Sequence, residues 1–298
     1  MKKVVTHNGP FHADDVFSTA VLQLYLADEE LEIIRTRDED IIKKADWVFD
    51  VGSVYDPQML RFDHHQPNGP VRESGIPYAA FGLVWKHVGE DLTGSKEISQ
   101  VIEENLVLPV DANDNGFSLY DVNESNIKPL ELSAVIKKMN PVWESDEDYD
   151  ENFKQAVDFA RTVLVRFIKN AEAKIKMAEI VENVYQTAED KRVLVFDISV
   201  SSRLCVQYPE VQTIVFPDDS KVSNNWLAIA VPKHDVGFET RFSFPEEWGG
   251  LRNEELAKVS GIEDAVFCHR NCHLLITGSK ESAVAAAEKF VLKLKTQT

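Results

Sequence analysis

The first half of this chain alternates short apolar runs with an amphipathic segment, and this alternation restricts the folds that it can adopt. Val4-Val5-Thr6, Glu32–Thr36 and Trp47–Val51 predict strands. Between the first two, apolar residues from Val16 to Tyr25 recur every three or four positions, which predicts a helix that begins near Ala13. Strands interleaved with helices are typical of α/β domains, so we predict a mainly parallel sheet here.

The second half predicts a separate α/β domain. A helical pattern from Phe153 to about Tyr185 comes first, and strand-like runs follow between Val193 and Thr277. A chain of 298 residues exceeds one ordinary core, so two domains are the default expectation. We therefore predict an N-terminal domain at 1–150, a connecting helix at 151–188 and a smaller C-terminal domain at 189–298. The active site is expected in the cleft between the two domains.

The composition narrows the class of protein. Fifty acidic residues against 32 basic ones give a formal net charge of −18, which opposes a general attraction for extended duplex nucleic acid. The three cysteines provide no disulfide framework, and no run approaches the roughly 20 apolar residues of a membrane span. We also find no signal-peptide pattern at the N-terminus. These features predict a cytoplasmic protein that has no membrane partner.

Histidines and aspartates concentrate where the predicted strands end. The residues are His7, His12, Asp14, Asp15, Asp50, Asp63, His64 and His65. Ligands of open α/β sheets collect at the carboxyl ends of strands, so these side chains are expected to lie close together. Imidazole and carboxylate groups suit a pair of divalent transition metals that act on a water molecule. The pattern therefore indicates a dinuclear hydrolytic site.

Each of these residues also has a simpler interpretation. Acidic residues such as Asp14 and Asp15 are common as caps in the first turn of a helix. His7 and His12 fit surface loops, and Asp50 fits a turn. All of these simpler interpretations would have to hold together, so the metal site is the better hypothesis.

Several motifs resemble the DHH phosphoesterase superfamily, which includes RecJ-like exonucleases, oligoribonucleases and manganese pyrophosphatases. The similarity is closer to one branch, the Myg-type (melanocyte proliferating gene) family of predicted metal-dependent hydrolases and RNA exonucleases. The motifs are Thr6–His12, Arg35–Asp38, Asp50–Gly52, Tyr55–Pro57, Phe62–Gln66, Val110–Gly116 and Leu251-Arg252 after Trp248. They extend over nearly the whole chain, so the resemblance is specific, and it implies a DHH-type catalytic domain at 1–150 and substrate binding by the C-terminal domain.

The resemblance implies two metal positions that share Asp50. One set is His7, His12 and Asp50, and the other is Asp14, Asp50, His64 and Asp111. Asp114 competes with Asp111 for the last motif, and we favour Asp111. Many members of the superfamily have an aspartate where this chain has His12, and the extra imidazole favours transition metals. We expect two divalent ions, with manganese preferred over cobalt, zinc or magnesium.

The remaining roles also follow from the resemblance. His65 would contact the scissile phosphate, and Asp63 would orient the histidines as an acceptor. Arg241 and Arg252 are the candidate substrate-binding residues of the C-terminal domain, where the resemblance favours this role over that of ordinary surface arginines. Apart from the resemblance, His269 is a candidate phosphate contact in the cleft. The run from Cys268 to His273 has zinc-ligand types, but one short loop would have to supply four ligands, so we interpret its cysteines as half-buried residues.

The residues by themselves predict metal-dependent hydrolysis of a phosphoester. The resemblance extends this prediction to a 3′→5′ exonuclease acting on short single-stranded RNA. One alternative is a small-molecule phosphatase that acts on a nucleotide, a cyclic dinucleotide or pyrophosphate. Another is a non-catalytic, metal-stabilised binding protein. The sequence leaves the oligomeric state open, with a homodimer as one option.

Overall fold

A computed structural model describes residues 1–121, 124–125, 127–219 and 223–293. Its contacts divide the chain into two units, Met1–Ala173 and Lys174–Thr298. Residues 294–298, at the end of the predicted C-terminal domain, lie outside the described residues. No helix in the described ranges is both long enough and apolar enough to cross a membrane.

The first unit begins with the predicted alternation of strands and helices. Its elements are β1 (Lys2–Thr6), α1 (Ala13–Tyr25), β2 (Leu31–Arg35), α2 (Glu39–Lys44), β3 (Trp47–Phe49), β4 (Tyr55–Asp56) and β5 (Arg61–Phe62). They form a five-stranded sheet in the order β2-β1-β3-β5-β4. The β1–β2, β1–β3 and β3–β5 pairs are parallel, and β4 is antiparallel to β5. The predicted α/β fold with a mainly parallel sheet is therefore confirmed.

Helices complete the first unit. They are α3 (Ala80–Thr93), α4 (Lys96–Ile102), α5 (Leu108–Asp114), α6 (Leu132–Lys137) and α7 (Tyr149–Thr187), with a π-helical segment at Glu103–Val107 between α4 and α5. Trp47, Phe49 and Phe62 point from the sheet into the main core. There the rings of Phe17 from α1 and Phe81 from α3 stack at 5.0 Å. These apolar contacts fix α1 and α3 over one face of the sheet.

The predicted connecting helix is one continuous element of 39 residues, α7. In its first half Phe153, Ala156 and Leu164 are buried in the core of the first unit. In its second half Val181 is buried in a core cluster of the second unit. The boundary between the units, at Ala173 and Lys174, thus falls within the helix. The assignment of this helix to a segment of its own stays a prediction.

The second unit contains a five-stranded sheet of its own. Its elements after α7 are β6 (Val193–Val195), β7 (Thr213–Pro217), β8 (Trp226–Ala230), α8 (Asn253–Ser260), β9 (Ala265–Cys268), β10 (Leu274–Thr277) and α9 (Lys280–Lys293). The strand order is β6-β7-β8-β10-β9. The β6–β7 pair is parallel, and the other pairs are antiparallel. The second unit is therefore also an α/β structure, as predicted.

Candidate metal centre

The loop after β1 carries two of the predicted ligands, and distant residues fix its backbone. Arg35 donates to Gly9 O at 2.6 Å. Asn140 bonds both polar backbone groups of Phe11, accepting from its N–H and donating to its carbonyl oxygen, each at 2.9 Å. The loop that holds His7 and His12 is thus braced from two sides, which favours a fixed ligand geometry.

The first turn of α1 contributes two buried carboxylates. Asp15 Oδ1 accepts from His12 N at 2.9 Å, so Asp15 does cap the helix. Its other oxygen lies 3.3 Å from His7 Nε2. Asp14 is fully buried, and its Oδ2 lies 3.8 Å from His64 Nε2. Both carboxylates therefore face the histidines, and the capping interpretation explains only one oxygen of Asp15.

Asp50 lies at the middle of the histidine cluster. It follows β3 and adopts a left-handed backbone conformation with φ of 56°, an unfavourable conformation for a non-glycine residue that is often retained at functional sites. Its two carboxylate oxygens lie 3.1 Å from His7 Nε2 and 3.2 Å from His64 Nε2. Burial opposes ionisation of this side chain, but hydrogen bonds from His64 and His7 outweigh it and lower the pKa of Asp50. Asp50 is therefore ionised, and its negative charge lies between the two imidazoles.

The Asp63-His64-His65 tripeptide follows β5, the parallel neighbour of β3. Asp63 accepts from Ser53 N at 2.5 Å with one oxygen, and from His65 Nδ1 at 2.6 Å with the other. The hydrogen bond to Asp63 raises the pKa of His65 above its ordinary value. The rings of His64 and His65 lie 4.3 Å apart, and both are near Asp50. They do not diverge as on a strand, because β5 already ends at Phe62.

The helix α5 decides between Asp111 and Asp114. Asp111 is fully buried, accepts from Arg72 at 2.7 Å and from Gly82 N at 3.0 Å, and does not contact the histidines. The carboxylate of Asp114 lies 3.5 Å from His64 Nε2 and 4.0 Å from His12 Nδ1. The geometry therefore favours Asp114 for the last ligand, the reverse of the preference drawn from the sequence. Asp111 is instead half of a buried ion pair.

The side chains at this centre fit a pair of cations. Their ligand atoms form groups within 4.8 Å of one another, among them His7 with His12 and Asp50, and His12 with Asp14 and Asp114. In the described part of the chain, Asp14 Oδ1 is buried without a hydrogen-bond partner. A buried polar atom without a partner is costly, and a bound cation would satisfy this one.

The electrostatics also favour cations. Burial, together with the charges of Asp50 and Asp114, raises the pKa of Asp14 well above its ordinary value. Burial likewise raises the pKa of Asp15 to about 7, although His7 opposes the increase. Several carboxylates this close cannot all ionise without compensation, and divalent cations would provide it.

The predicted substrate-binding residues lie in the second unit, where the structure gives each one local contacts. The guanidinium of Arg241 donates to backbone carbonyls that include Val206 and Tyr208, both at 2.6 Å. Arg252 lies over the Phe267 ring at 4.2 Å, and His269 Nδ1 accepts from the Asn271 amide at 3.1 Å. Arg241 thus has a structural role in its own unit. The assignment of Arg241, Arg252 and His269 to substrate stays a prediction.

The candidate zinc-ligand types at the end of the chain belong to the core of the second unit. Cys268 and Cys272 are buried in an apolar cluster with Trp248 and Phe244. Burial raises the pKa of the Cys268 thiol to about 12, so this group stays protonated at neutral pH. Both cysteines are thus more deeply buried than the half-buried positions predicted from the sequence.

Comparison with known proteins identifies the family. The family model MYG1_exonuc, described as "Uncharacterised protein family (UPF0160)", matches residues 3–291. The chain belongs to this family. The human MYG1 exonuclease is 30% identical over 321 residues, covering 96% of this chain and 84% of the human protein. A MYG1 protein of Chlamydia pneumoniae is 31% identical over 291 residues, covering 96% of this chain and 95% of that protein. The resemblance to the Myg-type family is thereby confirmed.

Solved structures give only weak matches to this MYG1 family member. A pGpG-specific phosphodiesterase, PggH from Vibrio cholerae, aligns with a TM-score of 0.33 and 13% identity, covering 100% of both chains. RecJ from Thermus thermophilus, in complex with Mn²⁺, aligns with a TM-score of 0.30 and 12% identity, covering 100% of this chain and 52% of RecJ. Scores this low carry no argument about fold or function.

Proposed function

We propose that this protein is a dinuclear metal-dependent phosphodiesterase that acts as a 3′→5′ exonuclease on short single-stranded RNA. The observation that carries the proposal is the position of Asp50, whose two oxygens contact different histidines, His7 and His64. A carboxylate in this position can bridge two cations. Membership of a family whose curated mammalian relatives are named exonucleases supports the reaction class.

The geometry suggests two ligand sets. His7, His12 and Asp50 form the first, since their ligand atoms lie within 4.8 Å of one another. The second set is Asp14, Asp50, His64 and Asp114, in which His64 Nε2 lies within 3.8 Å of each carboxylate. Mixed imidazole and carboxylate ligands favour a transition metal, so we propose manganese, with cobalt, zinc and magnesium as the alternatives to test.

Two bound cations would supply an activated water and neutralise charge on the phosphoryl oxygens. Among the protein's own groups, His65 is the best candidate to act on the substrate. Its Nδ1 is held by Asp63, and its side chain is 58% exposed, so Nε2 is left to face a ligand. The hydrogen bond to Asp63 raises the pKa of His65 and favours a protonated ring. That ring would donate to a phosphoryl oxygen or give its proton to the leaving oxygen.

The acidity of the chain bears on the substrate. A net charge of −18 repels long polyanions, so binding would depend on the cations and on a few local bases. This favours a short, single-stranded substrate over a duplex. We propose Arg252 and His269 as such bases, with Arg241 as a third candidate.

Product analysis of a 5′-labelled RNA oligomer with Mn²⁺ tests the proposal. A ladder of shortened labelled products is expected from a 3′→5′ exonuclease. Nucleotides, cyclic dinucleotides and pyrophosphate are tested in parallel. Phosphate release from these compounds alone would identify a small-molecule phosphatase instead. No product from any of them would indicate a non-catalytic binding protein.

A further inference from the structure

Beside the metal centre the first unit contains a cavity of about 1020 Å³. Its lining includes His7, His12, Asp50 and His65 from the metal centre. A cavity of this size is at the upper end of the range of small-molecule sites, which is roughly 300–1,000 Å³. It therefore has far more room than a phosphate group between two cations requires.

The rest of the cavity has an aliphatic floor that the sheet supplies. Ile42, Val48 and Val51 line it, with the more exposed Val54 and Met59 at its edge. Val48 points away from the main core because its neighbours in β3 already point into that core. Val48 lies two residues before Asp50, or about 6–7 Å along an extended chain. The aliphatic floor therefore begins two residues from Asp50, the proposed shared metal ligand.

Few side chains pack against this face of the sheet, which explains the open space. In the described part of the chain its buried cluster consists of Val5, Ala45 and Val48, with half-buried residues packed against it. The covering helix α2 has six residues and buries none of them. Ile42 and Val51 are therefore only half-buried and can contact a ligand, whereas Val48 is buried and packs against them.

Polar side chains surround the aliphatic floor. Arg37, Glu39, Lys43 and Asp56 line the same cavity and supply both donors and acceptors. Lys43 pairs with Glu39 at 3.1 Å, but both side chains are more than two-thirds exposed. Exposed pairs of this kind are weak, so either partner can turn to a ligand. The cavity thus combines an apolar floor with a rim of hydrogen-bonding groups.

We infer that this cavity is a nucleoside subsite, which holds the base and sugar next to the phosphate at the metal centre. A nucleobase has apolar faces and a hydrogen-bonding edge, and the floor and rim complement these two features. The inference rests on the proposed phosphodiesterase function, because that function puts a nucleotide phosphate at Asp50 and His65. It assigns base binding to the first unit itself.

The first test is a methyl NMR titration of the isoleucine- and valine-labelled protein in the presence of Mg²⁺. Adenosine 5′-monophosphate should shift the methyl signals of Ile42, Val48 and Val51. Ribose 5-phosphate has the same sugar and phosphate without the base, and it should shift them much less. Equal shifts from both ligands, or none from either, would overturn the inference.

The second test fills the cavity. Val54 is 48% exposed, so Val54→Trp should fold. Its indole should lie over the aliphatic floor and fill part of the cavity. Its kcat/KM on a dinucleotide should fall at least about tenfold more than its kcat/KM on methyl p-nitrophenyl phosphate, a diester without a base. The matched control is Val71→Trp, because Val71 is 55% exposed and does not line the cavity. Equal losses on both substrates, or a dinucleotide rate like that of the control, would contradict the subsite.

These tests separate the subsite from the proposed function. If the wild-type protein hydrolyses no phosphodiester but adenosine 5′-monophosphate shifts the floor methyls selectively, the subsite stands and the proposed reaction is wrong. If the protein hydrolyses dinucleotides while these methyls do not respond, the reaction stands and the subsite is wrong.

Discussion

Asp111 and Asp114 lie three residues apart on α5, and the structure predicts opposite consequences for substituting them. Asp111→Asn should destabilise the fold and leave metal binding intact. Asp114→Asn should leave the metal-free fold nearly unchanged and weaken metal binding. The reason is that Asp111 pairs with Arg72, whereas Asp114 faces His12 and His64.

The expected magnitudes follow from burial. Arg72 and Asp111 have side-chain exposures of 8% and 0%, and removing one partner of a buried pair costs about 3–5 kcal/mol. Arg72 keeps a second bond to Glu103 at 2.7 Å, so the lower end, about 3 kcal/mol, is expected for Asp111→Asn. Asp114 is 17% exposed, and its ion-pair partners among the described residues are imidazoles, so its substitution should change stability by less than about 1 kcal/mol. Its metal affinity should fall at least about tenfold, the loss that even an outer-shell partner causes.

Urea unfolding of EDTA-treated protein measures the first effect, and calorimetric titration with Mn²⁺ measures the second. Both are done at pH 8, because burial raises the pKa of Asp111 to about 7 despite Arg72, and the wild-type carboxylate must be ionised. The reasoning is refuted if Asp111→Asn keeps its stability and loses a metal ion, or if Asp114→Asn binds Mn²⁺ like the wild type.

Three further predictions concern catalysis, pH and substrate. His65→Ala should keep its metals and lose turnover by about 10²–10³, because Asp63 holds His65 and we propose that His65 acts on the substrate. Metal loss equal to that of His64→Ala, measured by elemental analysis, would contradict this prediction. Without metal, thermal stability should fall from pH 5 to pH 8. Burial raises the pKa of Asp15 to about 7, so the folded state binds more protons than the unfolded state over this range. A melting temperature in EDTA that rises with pH would contradict this prediction. Arg252→Ala should slow oligonucleotide hydrolysis at unchanged metal content, and normal kinetics on every substrate length would remove Arg252 from the substrate site.

Most of the histidine and aspartate cluster could be predicted because its residues follow parallel strands. His7 and Asp50 come directly after β1 and β3, and His64 is the second residue after β5. These three strands are adjacent in the sheet. The carboxyl ends of such strands meet at one edge, so even an approximate sheet brings these residues together. The same argument explains why the predicted α/β class is correct while the ends of individual strands differ by a few residues.

Asp114 could not be chosen over Asp111 without the helix that carries both. We predict no helix over Leu108–Asp114 from the sequence, whereas the structure continues from α4 through a π-helical segment into α5. Only the rotation of α5 decides which carboxylate faces His64. The partner of Asp111 is Arg72, 39 residues away, and a contact at this separation leaves no local trace in the sequence.

The sequence analysis does not predict the short helix α2, although a local signal for it exists. Asp38 caps it by accepting from Asp40 N and Ile41 N, and Lys43 and Lys44 occupy its last turn. A capping aspartate followed by terminal lysines is a helix signature, but six residues are too few for a clear apolar period. A capping role accounts for Asp15 in the sequence. The contact between its second oxygen and His7 can be seen only in the structure.

The most direct test of the dinuclear centre is the number of Mn²⁺ ions bound per chain by the wild-type protein and by Asp50→Ala. Asp50 has one oxygen near His7 and the other near His64, so a single substitution should affect both metal positions. Elemental analysis after dialysis should find about two ions in the wild type and most of the metal lost in Asp50→Ala. Two ions retained in Asp50→Ala, or no more than one in the wild type, would contradict a centre built around this shared carboxylate.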